Sequence, residues 1–168
     1  FSPVYNEIDS SIYYLSTFDG TQNIYKIKID ENISEKISDF NNNEIINSLS
    51  LDIYNNRLLF DITTRHNKNI HFLSLIDSSQ GRYIDAELWD TRNVDAFKEG
   101  TIYSDDRTGI FNLYYIDNNE QGYITNTKGG AFMSDFHESG KIVYSHYKNG
   151  QFNIAILDSI KIINQKQI

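Results

Sequence analysis

Few residues in this chain have the type and spacing that catalysis or metal binding requires. His137 and Glu138 match the beginning of H-E-x-x-H, in which two helical histidines bind zinc and the glutamate acts as a general base. The second histidine of that motif would be residue 141, which is Lys141. The pair is therefore interpreted as part of a surface turn before a strand.

An oxygen-rich segment that begins at Asp117 is a second candidate. Asp117, Asn119 and Gln121, followed by Gly122, match the first half of a calcium-binding loop. Such a loop needs a bidentate glutamate at its twelfth position, where this chain has Lys128. The segment is interpreted as a polar turn between two strands, and no metal or cofactor is predicted.

The four histidines leave a catalytic triad open as an alternative, because triads are recognised by geometry rather than by order in the chain. The residues that would have to converge are His66, His71, His137 and His146 with Asp61, Asp105 or Asp135. The motifs G-x-S-x-G and G-x-x-x-x-G-K-[ST] do not occur in the sequence. We predict hairpin and sheet positions for the histidines, and no catalytic residue.

Composition limits the class of protein and of partner. The 168 residues include 15 Lys and Arg against 23 Asp and Glu, a formal net charge of −8, which disfavours a broad nucleic-acid surface. Aromatic residues make up 14% of the chain, enough for a packed core, whereas no run reaches the ~20 apolar residues of a membrane span. We expect one globular region with no nucleic-acid partner and no membrane span.

An internal repeat organises the whole chain. An aromatic residue recurs every 41 to 46 residues, and an Asn follows it nine positions later each time; the pairs are Tyr14 and Asn23, Phe60 and Asn69, Tyr103 and Asn112, and Tyr144 and Asn153. Repeats of about 40–45 residues are typical of propeller blades. The predicted blades are residues 1–42, 43–88, 89–130 and 131–168.

Each repeat is predicted to form an antiparallel sheet of four strands. The segments around the repeat aromatic, such as 12–15 and 142–144, are short, β-branched or aromatic, and bounded by turn residues. Four such strands per unit form a blade, so we predict an all-β propeller of about four blades, either closed or part of a larger ring. Helical spacing in residues 31–50 and 84–99 leaves helix as a local alternative there.

Two stretches carry a resemblance to a known family. Residues 102–109 read I-Y-S-D-D-R-T-G and precede Asn112-Leu113-Tyr114, and residues 140–145 read G-K-I-V-Y-S and precede Asn149-Gly150. They resemble the TolB-type, WD-repeat-like propeller repeat of bacterial envelope proteins. The second unit departs from it at His66, where the other three units have Gly.

The resemblance implies a non-catalytic scaffold, periplasmic or associated with the outer membrane, that binds other envelope proteins or flanking domains of its own parent chain. The hairpins between the second and third strands are the predicted binding rim. Its residues are Asp19, Thr21, Asp106, Arg107, Lys148 and Asn149. Charge reversal at this rim is expected to weaken partner binding without lowering stability.

The alternative function is that of a substrate-gating propeller in a peptidase whose catalytic domain lies outside these residues. An H-E-x-x-H or G-x-S-x-G motif elsewhere in the parent chain would favour this alternative.

Overall fold

Four antiparallel β-sheets follow one another along the chain, and the part of the chain that the structure describes contains no helix. The computed structural model describes residues 1–41, 44–86 and 88–164. Three sheets have four strands hydrogen-bonded in chain order, and the fourth sheet has three. Each sheet forms one blade, so the predicted all-β propeller fold is confirmed.

The strands of each blade are numbered in chain order. Blade 1 contains β1 Val4–Asn6, β2 Ser11–Ser16, β3 Asn23–Lys28 and β4 Ser34–Lys36; blade 2 contains β5 Ile45–Asp52, β6 Arg57–Thr63, β7 Lys68–Ser74 and β8 Gln80–Arg82; blade 3 contains β9 Thr91–Phe97, β10 Gly100–Asp105, β11 Asn112–Ile116 and β12 Gln121–Tyr123; blade 4 contains β13 Ala131–Phe136, β14 Ile142–Lys148 and β15 Gln151–Leu157.

The first strands of the blades pack side by side, β1 against β5, β5 against β9 and β9 against β13. Because the strands of a blade are antiparallel, its connections alternate between two rims. We call the rim with the hairpins between second and third strands the hairpin rim; these hairpins are residues 17–22, 64–67, 106–111 and 149–150. The opposite rim, which carries the turns between first and second strands, is the turn rim.

The apolar cores lie between neighbouring blades. The two faces of a middle blade are both covered, so its second strand is almost fully buried, as all six residues of β10 are. Burying a Leu, Ile or Phe side chain contributes roughly 1.5–3 kcal/mol. The three clusters include Leu15, Leu58 and Phe60 between blades 1 and 2, Leu59, Val94 and Tyr103 between blades 2 and 3, and Ile102, Ala131 and Ile142 between blades 3 and 4.

Two details differ from the sequence-based expectations. The described residues of segments 31–50 and 84–99 form β4, β5, β9 and loops, so the helical alternative is wrong there. The sequence pattern predicts fourth strands at residues 35–38 and 122–125, but β4 ends at Lys36 and β12 at Tyr123. They end there because Ser38 and Thr125, two residues further on, turn inward and bond to the repeat Asn of their own blade.

Candidate functional site

The repeat Asn is a buried clamp in the first three blades. The side-chain oxygen of Asn23 accepts a hydrogen bond from the backbone N–H of Phe40 at 2.7 Å. Asn112 accepts the N–H of Thr127 at 2.7 Å in the same way, and Asn69 accepts that of Ala86 at 3.1 Å. Each donor lies in the loop that leads to the next blade. The repeat Asn therefore fixes the loop by which one blade continues into another.

A buried hydroxyl completes this clamp in blades 1 and 3. Thr125 Oγ1 donates to Asn112 Oδ1 at 3.1 Å and accepts the N–H of Leu113 at 2.8 Å. In blade 1, Ser38 Oγ donates to Asn23 Oδ1 at 2.9 Å and accepts the N–H of Ile24 at 2.8 Å. Buried oxygens need hydrogen bonds, and the side-chain oxygens of both Asn residues and of both hydroxyls have them.

In the first three blades, the residue before the repeat Asn is hydrogen-bonded to the next blade. The Gln22 carboxamide bonds both the N–H and the carbonyl of Ile46, each at 2.8 Å. The carbonyl of Phe111 accepts the N–H of Ala131 at 2.8 Å. In blade 2 the N–H of Lys68 donates to Asp90 Oδ1 at 3.0 Å. These bonds hold each hairpin against the start of the following first strand.

Polar side chains also connect the first strands of neighbouring blades. Ser50 Oγ in β5 accepts the N–H of Ala96 in β9 at 3.1 Å and donates to Asp95 Oδ1 at 3.0 Å. Asp95 Oδ2 accepts the N–H of Phe136 in β13 at 3.3 Å. Burial, with the nearby charge of Asp135, raises the pKa of Asp95 to about 6 against the opposing effect of the Ser50 hydrogen bond.

The raised pKa of Asp95 predicts a pH dependence of stability. The folded chain keeps a proton on Asp95 at pH values where the unfolded chain, with an ordinary pKa of ~3.9, has lost it. The contribution of this group to stability therefore falls as pH rises from ~4 through ~6. From about pH 4.5 to about pH 7.5, the urea unfolding midpoint should therefore fall less in Asp95→Asn than in the native chain, because the Asn side chain stays neutral. An equal fall in both proteins would contradict this assignment.

A charged and aromatic cluster lies at the hairpin rim of blade 3. The Asp105 carboxylate is fully buried, and Arg107 bonds it through Nε at 3.0 Å and Nη2 at 2.7 Å. The Arg107 guanidinium lies 4.8 Å from the ring centre of Trp89 and 4.5 Å from that of Tyr114. Burial and the hydrogen bond that it donates to Asp105 raise the pKa of Tyr123. The cluster fixes one conformation of the hairpin.

The structure places all six predicted rim residues in or directly beside three hairpins of the hairpin rim. Their local roles differ. Asp19 bonds Lys36 Nζ at 2.7 Å, and Asp106 Oδ1 accepts the N–H of Asp90 at 2.7 Å. Lys148 and Asn149 are exposed at the tip of the β14–β15 hairpin, whereas Thr21 is half-buried.

Arg107 requires a correction to the charge-reversal expectation. Because Arg107 is the ion-pair partner of the buried Asp105, reversing its charge would lower stability as well as change the surface. A loss of binding in such a variant would not report on the rim alone. Lys148 is exposed at a hairpin tip and is not part of the Arg107 cluster. The charge-reversal expectation is therefore retained for Lys148. The binding role of all six residues stays a prediction.

Two of the candidates for metal binding and catalysis lie in polar turns. Asp117 Oδ1 accepts the N–H groups of Asn119 and Glu120, both at 2.7 Å, as in a polar turn between β11 and β12. His137 Nδ1 bonds Ser139 Oγ at 2.8 Å in the turn before β14. Within residues 1–41, 44–86 and 88–164, no three His, Asp or Glu side chains are grouped so that they could hold a metal ion.

Comparison with solved structures identifies the fold. TolB from Acinetobacter baumannii superposes with a TM-score of 0.82 and 21% identity, covering 97% of this chain and 42% of that one. The chain has the TolB-like β-propeller fold. A TolB structure from Agrobacterium tumefaciens gives a TM-score of 0.75 at 11% identity, over 92% of this chain and 59% of that one. This chain thus spans less than two thirds of either TolB-like relative.

Peptidase propellers share the fold as well. A puromycin-hydrolyzing peptidase of Mycobacterium tuberculosis matches with a TM-score of 0.70 and 9% identity, over 94% of this chain and 29% of the peptidase. No protein-family model matches the chain, and no curated protein matches it significantly. Among the residues that the structure describes, no helix is long and apolar enough to cross a membrane.

Proposed function

We propose that this chain is part of a non-catalytic β-propeller scaffold that binds another protein in the bacterial cell envelope, in the periplasm or at the outer membrane. The observation that carries the proposal is the superposition of 97% of the chain on TolB. Its partners would be other envelope proteins or flanking domains of the same parent chain. The net charge of −8 argues against nucleic acid as a partner.

The mechanism would be rigid display of the hairpin rim. The loops and hairpins at this rim are held by the repeat Asn clamps and by the bonds from Gln22, Lys68 and Phe111 to the next blade. Ordering a mobile side chain on binding costs roughly 0.5–1.5 kcal/mol. Because these hairpins are already ordered, a partner binds them without that loss of affinity. Function then resides in the side chains that the hairpins present.

A substrate-gating propeller of a peptidase is the second candidate. The match to the puromycin-hydrolyzing peptidase over 94% of this chain favours it. In that case the partner of the rim would be a catalytic domain of the same polypeptide. The two candidates therefore differ in what the hairpin rim contacts.

Photo-crosslinking in the full-length protein distinguishes the two candidates. A photoreactive phenylalanine would replace Phe18, which is 90% exposed in the first hairpin, and in a second variant Lys148. Asn118, exposed on the turn rim, provides the control position. The scaffold function predicts crosslinks from the hairpin rim to a separate polypeptide, or to a flanking domain of the same chain that has no peptidase activity. Crosslinks within the same polypeptide, to a domain with peptidase activity, would support the gating function, and crosslinks from Asn118 alone would contradict both.

A further inference from the structure

A row of aromatic rings crosses the hairpin rim from blade 3 to blade 4. Phe111 ends the β10–β11 hairpin, Phe132 is the second residue of β13, and Tyr147 and Phe152 flank the tip of the β14–β15 hairpin. Successive ring centres lie 5.3 Å apart for Phe111 and Phe132, 6.2 Å for Phe132 and Phe152, and 5.0 Å for Phe152 and Tyr147. We call these four residues the aromatic row. At its blade 3 end, the Arg92 guanidinium lies 4.0 Å from the ring centre of Phe111.

Packing between the blades does not require the row. The position of Phe111, directly before the repeat Asn, is Gln22 in blade 1 and Lys68 in blade 2. In blade 3 the bond to the next blade is accepted by the backbone carbonyl of Phe111, 2.8 Å from the backbone nitrogen of Ala131, and the ring takes no part in it. The aromatic row is therefore a feature of blades 3 and 4 rather than of the repeat as a whole.

Two adjacent glycines hold the row against the backbone. A Cβ atom on Gly130 would lie 2.5 Å from the Phe132 ring, and one on Gly129 would overlap the carbonyl oxygen of Tyr147. Only glycine allows so close an approach at either position. The N–H of Tyr147 also donates to the carbonyl of Gly130 at 2.9 Å. The rings of the row are therefore positioned before a partner binds.

The row is accessible at its blade 4 end. Phe152 is 66% exposed and Tyr147 is 36% exposed, whereas Phe111 and Phe132 are half-buried. Phe111 keeps part of its surface exposed although blade 4 lies beside it. Because Phe152 occupies the same repeat position, part of its ring would stay accessible at the rim whatever lies beside blade 4.

The rim around the row is positively charged. Residues 124–134 and 144–157 include Lys128 and Lys148 but no Asp or Glu, although the chain as a whole has a formal net charge of −8. Both lysines are exposed. Lys148 directly follows Tyr147, and Lys128 precedes the two glycines that pack beside that tyrosine. The row is therefore flanked by positive charge on a chain that is otherwise acidic.

We propose that the aromatic row, with Lys128 and Lys148, is the main binding surface of the hairpin rim and takes an acidic protein segment that carries an apolar or aromatic side chain. This inference rests on the proposed function, in which the hairpin rim binds a protein. Carboxylates of the segment would pair with the two lysines, and its apolar side chain would pack on Phe152 and Tyr147. Aromatic residues are enriched in the cores of interfaces, and complementary charge selects the partner.

Binding of two designed peptides to the full-length protein tests the proposal. One fluorescent peptide combines several Glu with two Phe in a Gly and Ser background, and its matched control has Lys in place of each Glu. Fluorescence anisotropy should show that the acidic peptide binds at least about tenfold more tightly than the basic one. Phe152→Ala and Lys148→Glu should each weaken its binding at least about fivefold, whereas Tyr54→Ala and Lys98→Glu, at exposed sites on the turn rim, should not.

Three other outcomes overturn the proposal. They are equal affinities for the two peptides, equal effects of the row and turn-rim variants, and tighter binding of a single-stranded oligonucleotide than of the acidic peptide. If Phe152→Ala fails to fold, Lys148→Glu decides alone, because Lys148 is exposed at a hairpin tip.

Photo-crosslinking from position 18 separates this inference from the proposed function. If crosslinks to a protein form there with undiminished yield in the Phe152→Ala and Lys148→Glu variants, this inference alone is wrong. If no position on the hairpin rim crosslinks to a protein, the proposed function itself is wrong. Crosslinks that are lost in both variants and kept in Tyr54→Ala and Lys98→Glu would support both.

Discussion

Replacing Asn112 with alanine is expected to lower the free energy of unfolding by about 3 kcal/mol. The side chain is buried, and its oxygen accepts bonds from Thr127 N, Thr127 Oγ1 and Thr125 Oγ1. Truncation removes the acceptor for all three donors, and buried donors left unpaired cost roughly 1–3 kcal/mol each where water does not reach them. Urea unfolding followed by the fluorescence of Trp89, the one Trp of the chain, measures the loss.

Asn153→Ala is the matched control for this prediction. Asn153 occupies the same repeat position but is exposed, and its Nδ2 makes only a long bond of 3.4 Å to the carbonyl of Gln151 in the same strand. In the isolated chain we expect a change within about 0.5 kcal/mol. Equal effects of the two substitutions would show that the clamp does not depend on burial of the Asn.

Replacing Asp105 with alanine is expected to destabilise the chain by about 4 kcal/mol, in the range measured when one partner of a buried ion pair is removed. The substitution leaves the Arg107 guanidinium between Trp89 and Tyr114 without its counter-charge. It also removes the acceptor of the Tyr123 hydroxyl. Chemical denaturation at neutral pH measures the effect.

An exposed ion pair provides the comparison. Arg82 and Asp85 lie 2.9 Å apart with side chains 52% and 63% exposed, so Asp85→Ala should cost less than about 0.5 kcal/mol. The double variant Asp105→Leu with Arg107→Met should recover part of the loss, because an apolar pair of similar volume avoids the unpaired charge. If Asp105→Ala costs no more than Asp85→Ala, the cluster does not have the structural role described here.

The repeat made the fold predictable from the sequence. An aromatic residue followed by Asn nine positions later occurs four times, and each occurrence marks the second and third strands of one blade. The pattern is visible because strands impose an alternation of side chains within a few residues. The function of the Asn was not visible, since its partners Phe40 and Thr127 lie 17 and 15 residues away.

The rim was predicted less completely than the fold. The sequence placed Asp106 and Arg107 in a hairpin, which is correct, but it did not show that Arg107 pairs with the buried Asp105 two residues earlier. The order Asp-x-Arg at the end of a strand is the signal that could have indicated the pair. The stacking of Arg107 on Trp89, 18 residues away, depends on the packing of a loop and leaves no local pattern.

The exposed apolar face of blade 4, which carries Ile154 and Ile156 of β15, could be recognised only in the structure. Ile154 and Ile156 have the alternation of a strand with a buried face, and this pattern does not show whether anything covers that face. Only the arrangement of the blades shows that the next layer is absent from the described residues.

Hydrogen exchange on the full-length protein, free and crosslinked to its partner, tests the central claim most directly. If the hairpin rim is the binding surface of a rigid scaffold, amides in residues 17–22, 106–111 and 148–151 should gain protection in the complex. Amides in the turn-rim segments 29–33, 53–56 and 117–120 should exchange at unchanged rates. Protection confined to the turn rim, or no protection at either rim, would contradict the account.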